Sequence, residues 1–410
     1  MKLTTVGPRP SLPPVILAAG GFWDDRPWTN KQHVASRLAN LTEVLFVEPP
    51  LQYSTAWRGG KWRGWSPHPR RIGDKSLYTF RPVSPFPCGS HLATSRTLNS
   101  LANSLAVRNA ARHLGFSRPV LWIYMPTEEH YVGRLGERLA IYHCVDDFPA
   151  QAALVGQESI AQRAEKRLLE KTDVVVVTSP TLLDRRPRSG EIHLLPNVAD
   201  IGLFSKALDV LPMPAGLTGL QGPLVGYWGA LDRYKVDFDL VAAVADALPR
   251  VTFVMIGNVG MVDRTAPSSL PVRRNLVYLS ARSQSDLPSY ARCFTVLLIP
   301  YVHNRYTDSV FPLKVYEYLA TGKPVVSTRL PSIQSLSSVI AFADGAGAFA
   351  AAIERAIIED SMELRQRRCE EARLNSWEHR VESIVRILLE HPKMRGAGGS
   401  SAIRSNAHRN

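Results

Sequence analysis

The regular alternation of short apolar runs with helix-forming segments most constrains the fold of this chain. Runs rich in Val, Ile and Leu recur along its length, and segments with helical spacing of apolar residues fall between them. This alternation is typical of parallel sheets whose strands are joined by helical crossovers. It predicts strands at 15–19, 43–47, 77–81, 120–124, 139–144, 173–178 and 192–195, and a second series at 224–229, 251–256, 277–279, 296–299 and 325–328. The chain is therefore predicted to be an α/β protein.

A break between the two series of strands divides the chain. Residues 206–222 are rich in Pro and Gly and lack periodicity, which indicates a linker between two doubly wound, Rossmann-like domains. A length of 410 residues allows each domain to bury its own core. The predicted organisation is an N-terminal domain at 1–205, a linker at 206–222, a C-terminal domain at 223–375, a last helix at 376–391 and a disordered tail at 392–410.

The segment from Asp308 to Thr328 contains the clearest candidate site. It predicts a loop, a helix that carries Lys314 and Glu317 one turn apart, a stop at Gly322 and a buried strand. The N-terminus of a helix favours a phosphate; Lys314 would add a full positive charge there, and Glu317 could accept hydrogen bonds from a sugar diol. These features suggest a nucleotide-sugar site, although Lys and Glu at this spacing are also typical of a solvated surface pair.

The same segment resembles the signature of GT-B glycosyltransferases, in which a glutamate before the sequence GKPVV holds the ribose of the donor nucleotide. The resemblance implies that Glu317 binds ribose and that Lys314 contacts phosphate. Many of those enzymes carry another glutamate eight residues earlier, where this chain has Ser309, so a two-carboxylate sugar clamp is not expected. The resemblance further implies two domains that face a cleft, a last helix that crosses back to the N-terminal domain, and a UDP- or GDP-linked donor bound without a metal ion or cofactor.

Further candidates for donor binding follow the strands of the second half, because ligands of doubly wound sheets lie beyond the carboxyl ends of the strands. Arg233 and Lys235 come after the strand at 224–229, where the related enzymes approach the diphosphate. Gly257 follows the next strand and would let the backbone approach a ligand. In the loop at 301–309, Arg305 and Ser309 are predicted contacts of the transferred sugar or of the β-phosphate.

Two places in the first half are candidates for acceptor chemistry. The loop at 20–28 follows the first strand and is expected to face the cleft. Asp146 and Asp147 follow the strand at 139–144, and this stretch resembles the strand-end aspartate motif of xanthan-type glucuronosyltransferases and teichuronic-acid-type enzymes, where an aspartate can act as general base. Neighbouring side chains point to opposite sides of an extended chain, so one of the two is expected to act as base and the other to cap the following turn.

The net charge of +13 points to anionic partners. Nucleic acid is the least favoured of these, because no DNA- or RNA-binding motif is present. The segment 51–71 places Trp57, Trp62 and Trp65 among five Arg and Lys residues and no acidic residue. That combination is typical of contact with an anionic membrane, but it also fits a basic loop or a carbohydrate-stacking surface. No apolar run is long enough to cross a bilayer, so the protein is predicted to be cytoplasmic or peripheral to the cytoplasmic face of the inner membrane.

The sequence as a whole predicts a metal-independent glycosyltransferase, either hexosyl- or uronosyltransferase. It would move a sugar from a nucleotide-diphosphate donor to a saccharide or lipid-linked acceptor in exopolysaccharide or cell-envelope glycan synthesis. Two alternatives stay open: a nucleotide-sugar epimerase or hydrolase of the same architecture, and a non-catalytic basic membrane-binding protein. Inversion and retention at the anomeric carbon are also both open.

Overall fold

The computed structural model describes residues 12–53, 65–86, 93–186, 190–260 and 270–395. The strands in these ranges are β1 Val15–Ala18, β2 Val44–Val47, β3 Leu51–Gln52, β4 Arg70–Arg71, β5 Leu77–Phe80, β6 Val83–Ser84, β7 Val120–Ile123, β8 Leu139–Cys144, β9 Val174–Val177, β10 Glu191–Leu194, β11 Leu224–Trp228, β12 Thr252–Ile256, β13 Leu276–Leu279, β14 Val296–Ile299, β15 Val325–Ser327 and β16 Ala341–Phe342. The helices are α1 Asn30–Leu38, α2 Ala93–His113, α3 Phe148–Ala153, α4 Glu158–Lys171, α5 Pro180–Asp184, α6 Ile201–Phe204, α7 Phe238–Ala247, α8 Leu287–Cys293, α9 Lys314–Ala320, α10 Ala346–Ile358, α11 Met362–Leu374, α12 Trp377–Glu390 and α13 Pro392–Arg395.

Each half of the chain builds one large sheet. The order in the first half is β10-β9-β8-β7-β1-β2-β5-β4, parallel except for the antiparallel pair β4 and β5. The order in the second half is β13-β12-β11-β14-β15-β16, parallel throughout. Each order reverses once, between β1 and β7 and between β11 and β14. Both halves are therefore doubly wound, as predicted, and each has a switch point where such sheets bind ligands.

The strands form where the sequence has uninterrupted apolar runs. β1, β2 and β9 are composed of Val, Ile, Leu, Phe and Ala, and all their residues are buried. Burial on both faces is typical of parallel strands covered by helices on either side. The predicted strands are all present with ends displaced by at most one residue, whereas the short strands β3, β4, β6 and β16 were not predicted.

Helix α12 returns from the second half and packs on the first. Its side chains Trp377, Val381, Ile384 and Leu388 lie in the hydrophobic core that also contains β1 and α1 residues. The Trp377 ring stacks on that of His33 with centroids 4.6 Å apart. The crossing helix predicted from the sequence is thus confirmed.

The prediction of a disordered tail is wrong for residues 392–395. These four residues form helix α13, and Lys393 Nζ lies 2.6 Å from Asp173 Oδ1. Residues 396–410 lie outside the described ranges. The ion pair with Asp173 extends the attachment of the C-terminal segment to the first half.

Because α12 joins the two halves, its burial is expected to stabilise the whole molecule. Ile384 is fully buried, while Ile358 at the end of α10 is 81% exposed. Ile384→Val should lower the free energy of unfolding by about 1 kcal/mol through loss of one buried methyl group. Ile358→Val makes the same chemical change at the surface and should leave stability unchanged in a urea titration. Equal effects of the two variants would contradict this packing.

The basic Trp-rich segment is only partly described. Trp57 and Trp62 lie outside the described residues. The Trp65 indole N–H donates a 3.0 Å hydrogen bond to the Arg81 carbonyl oxygen, so this ring is attached to the edge of the first sheet. Among the helices of the described ranges, none combines the length and the apolar character needed to span a bilayer.

Candidate active site

One cavity of about 570 Å³ lies between the two halves, where loops after β1, β7 and β8 meet loops after β11 and β14. We call it the central cleft. Both switch points open onto it, which is the expected place for a ligand. Its charged lining residues are Asp25, Lys31, Asp146, Lys235 and Lys314.

A second cavity of about 570 Å³, the strand-end cavity, lies beyond β11, β12 and β13. Its lining includes Trp228, Gly257 and Gln284 from the second half and 26–28 from the first. Pro27 also borders the central cleft, so the two cavities adjoin. Together they offer a ligand more room than either cavity alone.

Lys314 begins helix α9, and its partly buried side chain lines the central cleft. Its Nζ donates a 2.8 Å hydrogen bond to the Tyr301 hydroxyl and lies 5.1 Å from the centre of the Tyr227 ring. Burial lowers the pKa of Lys314 to about 8, and nearby Glu317 partly opposes that shift. A partly buried cation with a neutral hydroxyl as hydrogen-bond partner is well suited to receive an anion.

Gly229 lies next to the Lys314 side chain. The glycine has φ +139°, and a Cβ on it would lie 2.9 Å from Lys314 Nζ. The positive φ favours glycine at this position, and the absence of a Cβ leaves the end of the lysine side chain its place beside the strand end.

Glu317 lies one turn further along α9 and is linked to the strand-end cavity. Its carboxylate accepts a 2.9 Å hydrogen bond from the Trp228 indole N–H and a 3.5 Å bond from the Gln284 amide. Both donors line that cavity. Burial raises the pKa of Glu317, while the Trp228 bond and Lys314 oppose the shift. The structure places Lys314 at the central cleft, whereas Glu317 lines neither cavity and contacts two residues that line the strand-end cavity.

Asp146 and Lys235 both line the central cleft, and both contact Tyr306. Asp146 accepts a 3.3 Å hydrogen bond from the Tyr306 hydroxyl, and Lys235 Nζ lies 5.5 Å from the Tyr306 ring centre. Burial raises the pKa of Asp146, and the positive charge of Lys235 opposes this. Asp146 is thus a cleft carboxylate from the first half, close to a cation from the second.

Asp147 points away from Asp146 and has a different environment. Its Oδ1 accepts a hydrogen bond of 3.2 Å from the Ala150 N–H and caps α3, as one of the two aspartates was expected to do. Its Oδ2 lies 3.1 Å from Arg185 Nη1, and Arg186 Nη2 lies 3.7 Å from Oδ1. The carboxylate of Asp147 is therefore already bound by the helix N-terminus and by two arginines. The structure does not place it in the central cleft.

Two predicted donor contacts, Ser309 and Arg305, lie elsewhere. Ser309 is fully buried, and its hydroxyl bonds to Arg185 and to the Arg305 carbonyl oxygen. The Arg305 side chain pairs with Glu158 on α4 and approaches Asp147. Neither side chain lines the central cleft or the strand-end cavity. The reason is that this loop is fastened to the first half by contacts between residues more than a hundred positions apart.

The remaining predicted contacts divide between the site and its surroundings. Gly257 lines the strand-end cavity, and a Cβ there would lie 1.8 Å from the Gly229 carbonyl oxygen. Arg233 is partly exposed, with its guanidinium 5.7 Å from the Phe238 ring centre and 3.9 Å from Asp239. Of the two basic residues after β11, Lys235 is the one that lines the central cleft.

The sequence did not predict Lys31 and Glu128. Lys31 lines the central cleft from the first turn of α1, and burial lowers its pKa. Glu128 is buried nearby; its carboxylate accepts a 3.0 Å hydrogen bond from the Gly20 N–H, and burial raises its pKa to about 7. Lys31 directly follows the switch-point loop, which is a signal that could have identified it. Glu128 comes from a turn far along the chain and has no comparable signal.

The structure has two doubly wound sheets, a cleft between them and a strand-end cavity in the second half. This is the GT-B architecture that the sequence resembles. Residues 222–359 match the family described as glycosyl transferases group 1. Residues 222–359 are therefore similar to group 1 glycosyltransferases, and the predicted resemblance is confirmed.

A relative from Bacillus subtilis (strain 168), described as putative teichuronic acid biosynthesis glycosyltransferase TuaH, is 28% identical over 207 residues. The match covers 48% of this chain and spans about half, 52%, of the relative's length. Among solved structures, sucrose-phosphate synthase from Thermosynechococcus elongatus superposes with a TM-score of 0.67 at 17% identity, covering 92% of this chain and 98% of the other. An E. coli trehalose-6-phosphate structure described as bound with UDP-2-fluoro glucose gives 0.65 at 12%, covering 92% and 99%. At these identities the solved structures establish the fold alone.

Proposed function

We propose that this protein is a glycosyltransferase that moves a sugar from a UDP- or GDP-linked donor to a saccharide or lipid-linked acceptor. One observation carries the proposal. Lys314 and Lys235 from the second half and Asp146 from the first line the same cleft. Cations suited to a diphosphate and a carboxylate suited to an acceptor hydroxyl are thereby held on opposite sides of one space.

The donor would extend across both cavities. We assign its nucleoside to the strand-end cavity and its ribose hydroxyls to the carboxylate of Glu317, which is hydrogen-bonded to the cavity-lining residues Trp228 and Gln284. The diphosphate would then lie at Lys314, one helical turn away. Gly229 and Gly257 line this cavity with backbone atoms alone, and the absence of a Cβ at Gly257 lets the ends of β11 and β12 approach each other closely.

In the proposed reaction, the bond between the anomeric carbon and the diphosphate oxygen breaks, and a bond to the acceptor oxygen forms. Asp146 would accept the proton of the acceptor hydroxyl, while Lys314 and Lys235 stabilise the negative charge that develops on the leaving diphosphate. We propose that these lysines carry this charge stabilisation without a metal ion. The name of the Bacillus relative supports a role in a cell-envelope glycan, or in an exopolysaccharide of similar chemistry.

The assignment of ribose to Glu317 is tested by Glu317→Ala. Losing a charged hydrogen-bond acceptor should weaken binding of UDP or GDP by about tenfold to a hundredfold. Titration calorimetry with the nucleotide that most raises the melting temperature of the wild type measures this directly. Glu354→Ala removes an exposed glutamate of α10 and serves as the matched control. If Glu317→Ala binds the nucleotide as tightly as the wild type, Glu317 does not bind the ribose. Release of nucleotide diphosphate that needs no acceptor would instead favour a hydrolase or epimerase.

We also propose peripheral contact with the cytoplasmic face of a membrane through the segment 51–71. Its support is compositional: three tryptophans among basic residues in a chain of net charge +13. The protein should sediment with vesicles that contain phosphatidylglycerol and not with pure phosphatidylcholine, and salt should reverse the binding. Equal sedimentation with both vesicles, or none with either at low salt, would contradict the proposal.

A further inference from the structure

A third cavity, of about 450 Å³, lies on the first half beside the central cleft. We call it the side cavity. Its lining includes Phe22, Asp24, Asp25, Glu48, Trp65 and Arg81. Asp25 lines both this cavity and the central cleft. The volume is within the range of about 300–1,000 Å³ typical of small-molecule sites.

The loop at 22–28 borders all three cavities, one after another along the chain. Its first residues line the side cavity, Asp25 and Pro27 line the central cleft, and 26–28 line the strand-end cavity. The strand-end cavity and the central cleft therefore share Pro27, whereas the side cavity and the central cleft share Asp25.

The aromatic part of the side cavity is held by Arg81. The Arg81 guanidinium lies 4.9 Å from the centre of the Phe22 ring, and its Nε donates a 3.1 Å hydrogen bond to the Pro49 carbonyl oxygen. The Trp65 indole N–H donates to the Arg81 carbonyl oxygen at 3.0 Å. Phe22 nevertheless remains 36% exposed. Phe22 and Trp65 are thus among the aromatic side chains that line the cavity, and the Trp65 ring is attached to the backbone by its own hydrogen bond.

The carboxylates of the side cavity are positioned by backbone groups. Asp25 Oδ2 accepts a 2.8 Å hydrogen bond from the Phe22 N–H, and Glu48 Oε1 accepts a 3.0 Å bond from the Trp23 N–H. A carboxylate has about four acceptor positions, so each keeps capacity for hydroxyl donors. Burial raises the pKa of Glu48, and the Trp23 bond and Arg81 oppose this.

The charge of the side cavity differs from that of the central cleft. Three carboxylates, of Asp24, Asp25 and Glu48, line it together with Arg70 and Arg81. The central cleft has three lysines and two carboxylates. Phosphates and uronates are therefore favoured in the cleft and disfavoured in the side cavity, whereas hydroxyl groups suit carboxylates and arginine alike.

We propose that the side cavity binds a neutral sugar unit of the acceptor, adjacent to the unit whose hydroxyl reacts in the central cleft. The proposal rests on the glycosyltransferase function and adds that the acceptor is at least a disaccharide. Aromatic rings contact the apolar face of the sugar, and the carboxylates accept its hydroxyl protons. Phe22, Glu48 and Asp25 are the specificity-determining residues of this subsite.

Saturation-transfer NMR on the full chain, with saturating UDP or GDP, tests the subsite. The probes are cellobiose, maltose and lactose, with glucose 6-phosphate as anionic comparison. At least one disaccharide should receive saturation, and the signal should fall at least fivefold in Phe22→Ala. Phe86→Ala is the matched control, because Phe86 is 39% exposed and does not line the side cavity. Glu48→Gln keeps an acceptor for the Trp23 N–H and should also weaken the signal.

Three results would overturn the proposal: no signal from any disaccharide, equal signals in Phe22→Ala and Phe86→Ala, or a stronger Phe22-dependent signal from glucose 6-phosphate. Nucleotide binding separates this failure from that of the proposed function. If UDP or GDP raises the melting temperature and the disaccharides fail, the subsite alone is wrong. If no nucleotide diphosphate binds, the glycosyltransferase proposal fails first.

Discussion

Lys314→Met should lower the rate of sugar transfer by about a hundredfold to a thousandfold, the magnitude typical of losing one preorganised group that stabilises developing charge. Methionine keeps the length and much of the volume of the side chain but removes the cation. The loss should appear in turnover as well as in affinity, because the negative charge on the diphosphate grows as its bond to the sugar breaks. Steady-state release of UDP or GDP with and without acceptor measures the effect. Wild-type turnover should persist in EDTA if lysines carry this role.

The pH dependence of donor binding adds a signature specific to this lysine. A pKa of about 8 means that Lys314 is charged below that pH and neutral above it. Affinity of the wild type for the nucleotide diphosphate should therefore be nearly constant from about pH 7 to 7.5 and fall by about tenfold per unit well above pH 8. The Lys314→Met variant should bind weakly at every pH and lack this fall. Binding that stays constant to pH 10 in the wild type would contradict a phosphate contact.

A control at the surface separates this local effect from the general basic charge. Lys206 is exposed and lies outside both cavities of the proposed donor site. Lys206→Met changes the net charge by the same amount and should leave turnover and its pH profile unchanged. Equal losses in the two variants would indicate long-range attraction of the donor instead of a direct contact.

The fold could be predicted because each strand is specified by a short, continuous stretch of the sequence. Parallel strands buried on both faces require continuous apolar runs, as in Val174–Val177, and Gly and Pro mark where they end. The same applies to Lys314 and Glu317, since one helix fixes their spacing. Short strands such as Arg70–Arg71 escaped prediction because their two residues form them only by pairing with Thr79 and Tyr78.

Contacts between distant segments explain what the sequence could not predict. Ser309 and Arg305 precede the donor helix, and sequence proximity alone suggested a donor contact. Their partners Arg185, Asp147 and Glu158 lie in the first half and direct both residues away from the cleft. Glu128 reaches Gly20 across more than a hundred residues by the same kind of contact. The sequence pattern predicts where each strand ends. It does not predict which side chains from other elements lie next to that strand end.

Asp146→Asn should lower turnover by about a thousandfold if Asp146 is the general base, since such groups contribute about 10² to 10⁴. The substitution keeps the shape of the side chain and an oxygen that can accept from the Tyr306 hydroxyl. It removes the capacity to take up the acceptor proton. Donor binding should change little, because Asp146 comes from the first half and the nucleoside is assigned to the second.

The matched control for this variant is Asp74→Asn at an exposed turn, which should retain full activity. Burial raises the pKa of Asp146, so the wild-type rate should decline at acidic pH as the carboxylate is protonated, and the decline should begin above the ordinary pKa of an aspartate. The anomeric configuration of the product, read by proton NMR, then decides the stereochemistry. A base at Asp146 requires direct attack by the acceptor oxygen and an inverted product. If Asp146→Asn keeps more than about a tenth of the wild-type turnover, Asp146 is not the base. A retained product in that case would assign the proton transfer to the leaving diphosphate, held in place by Lys314 and Lys235.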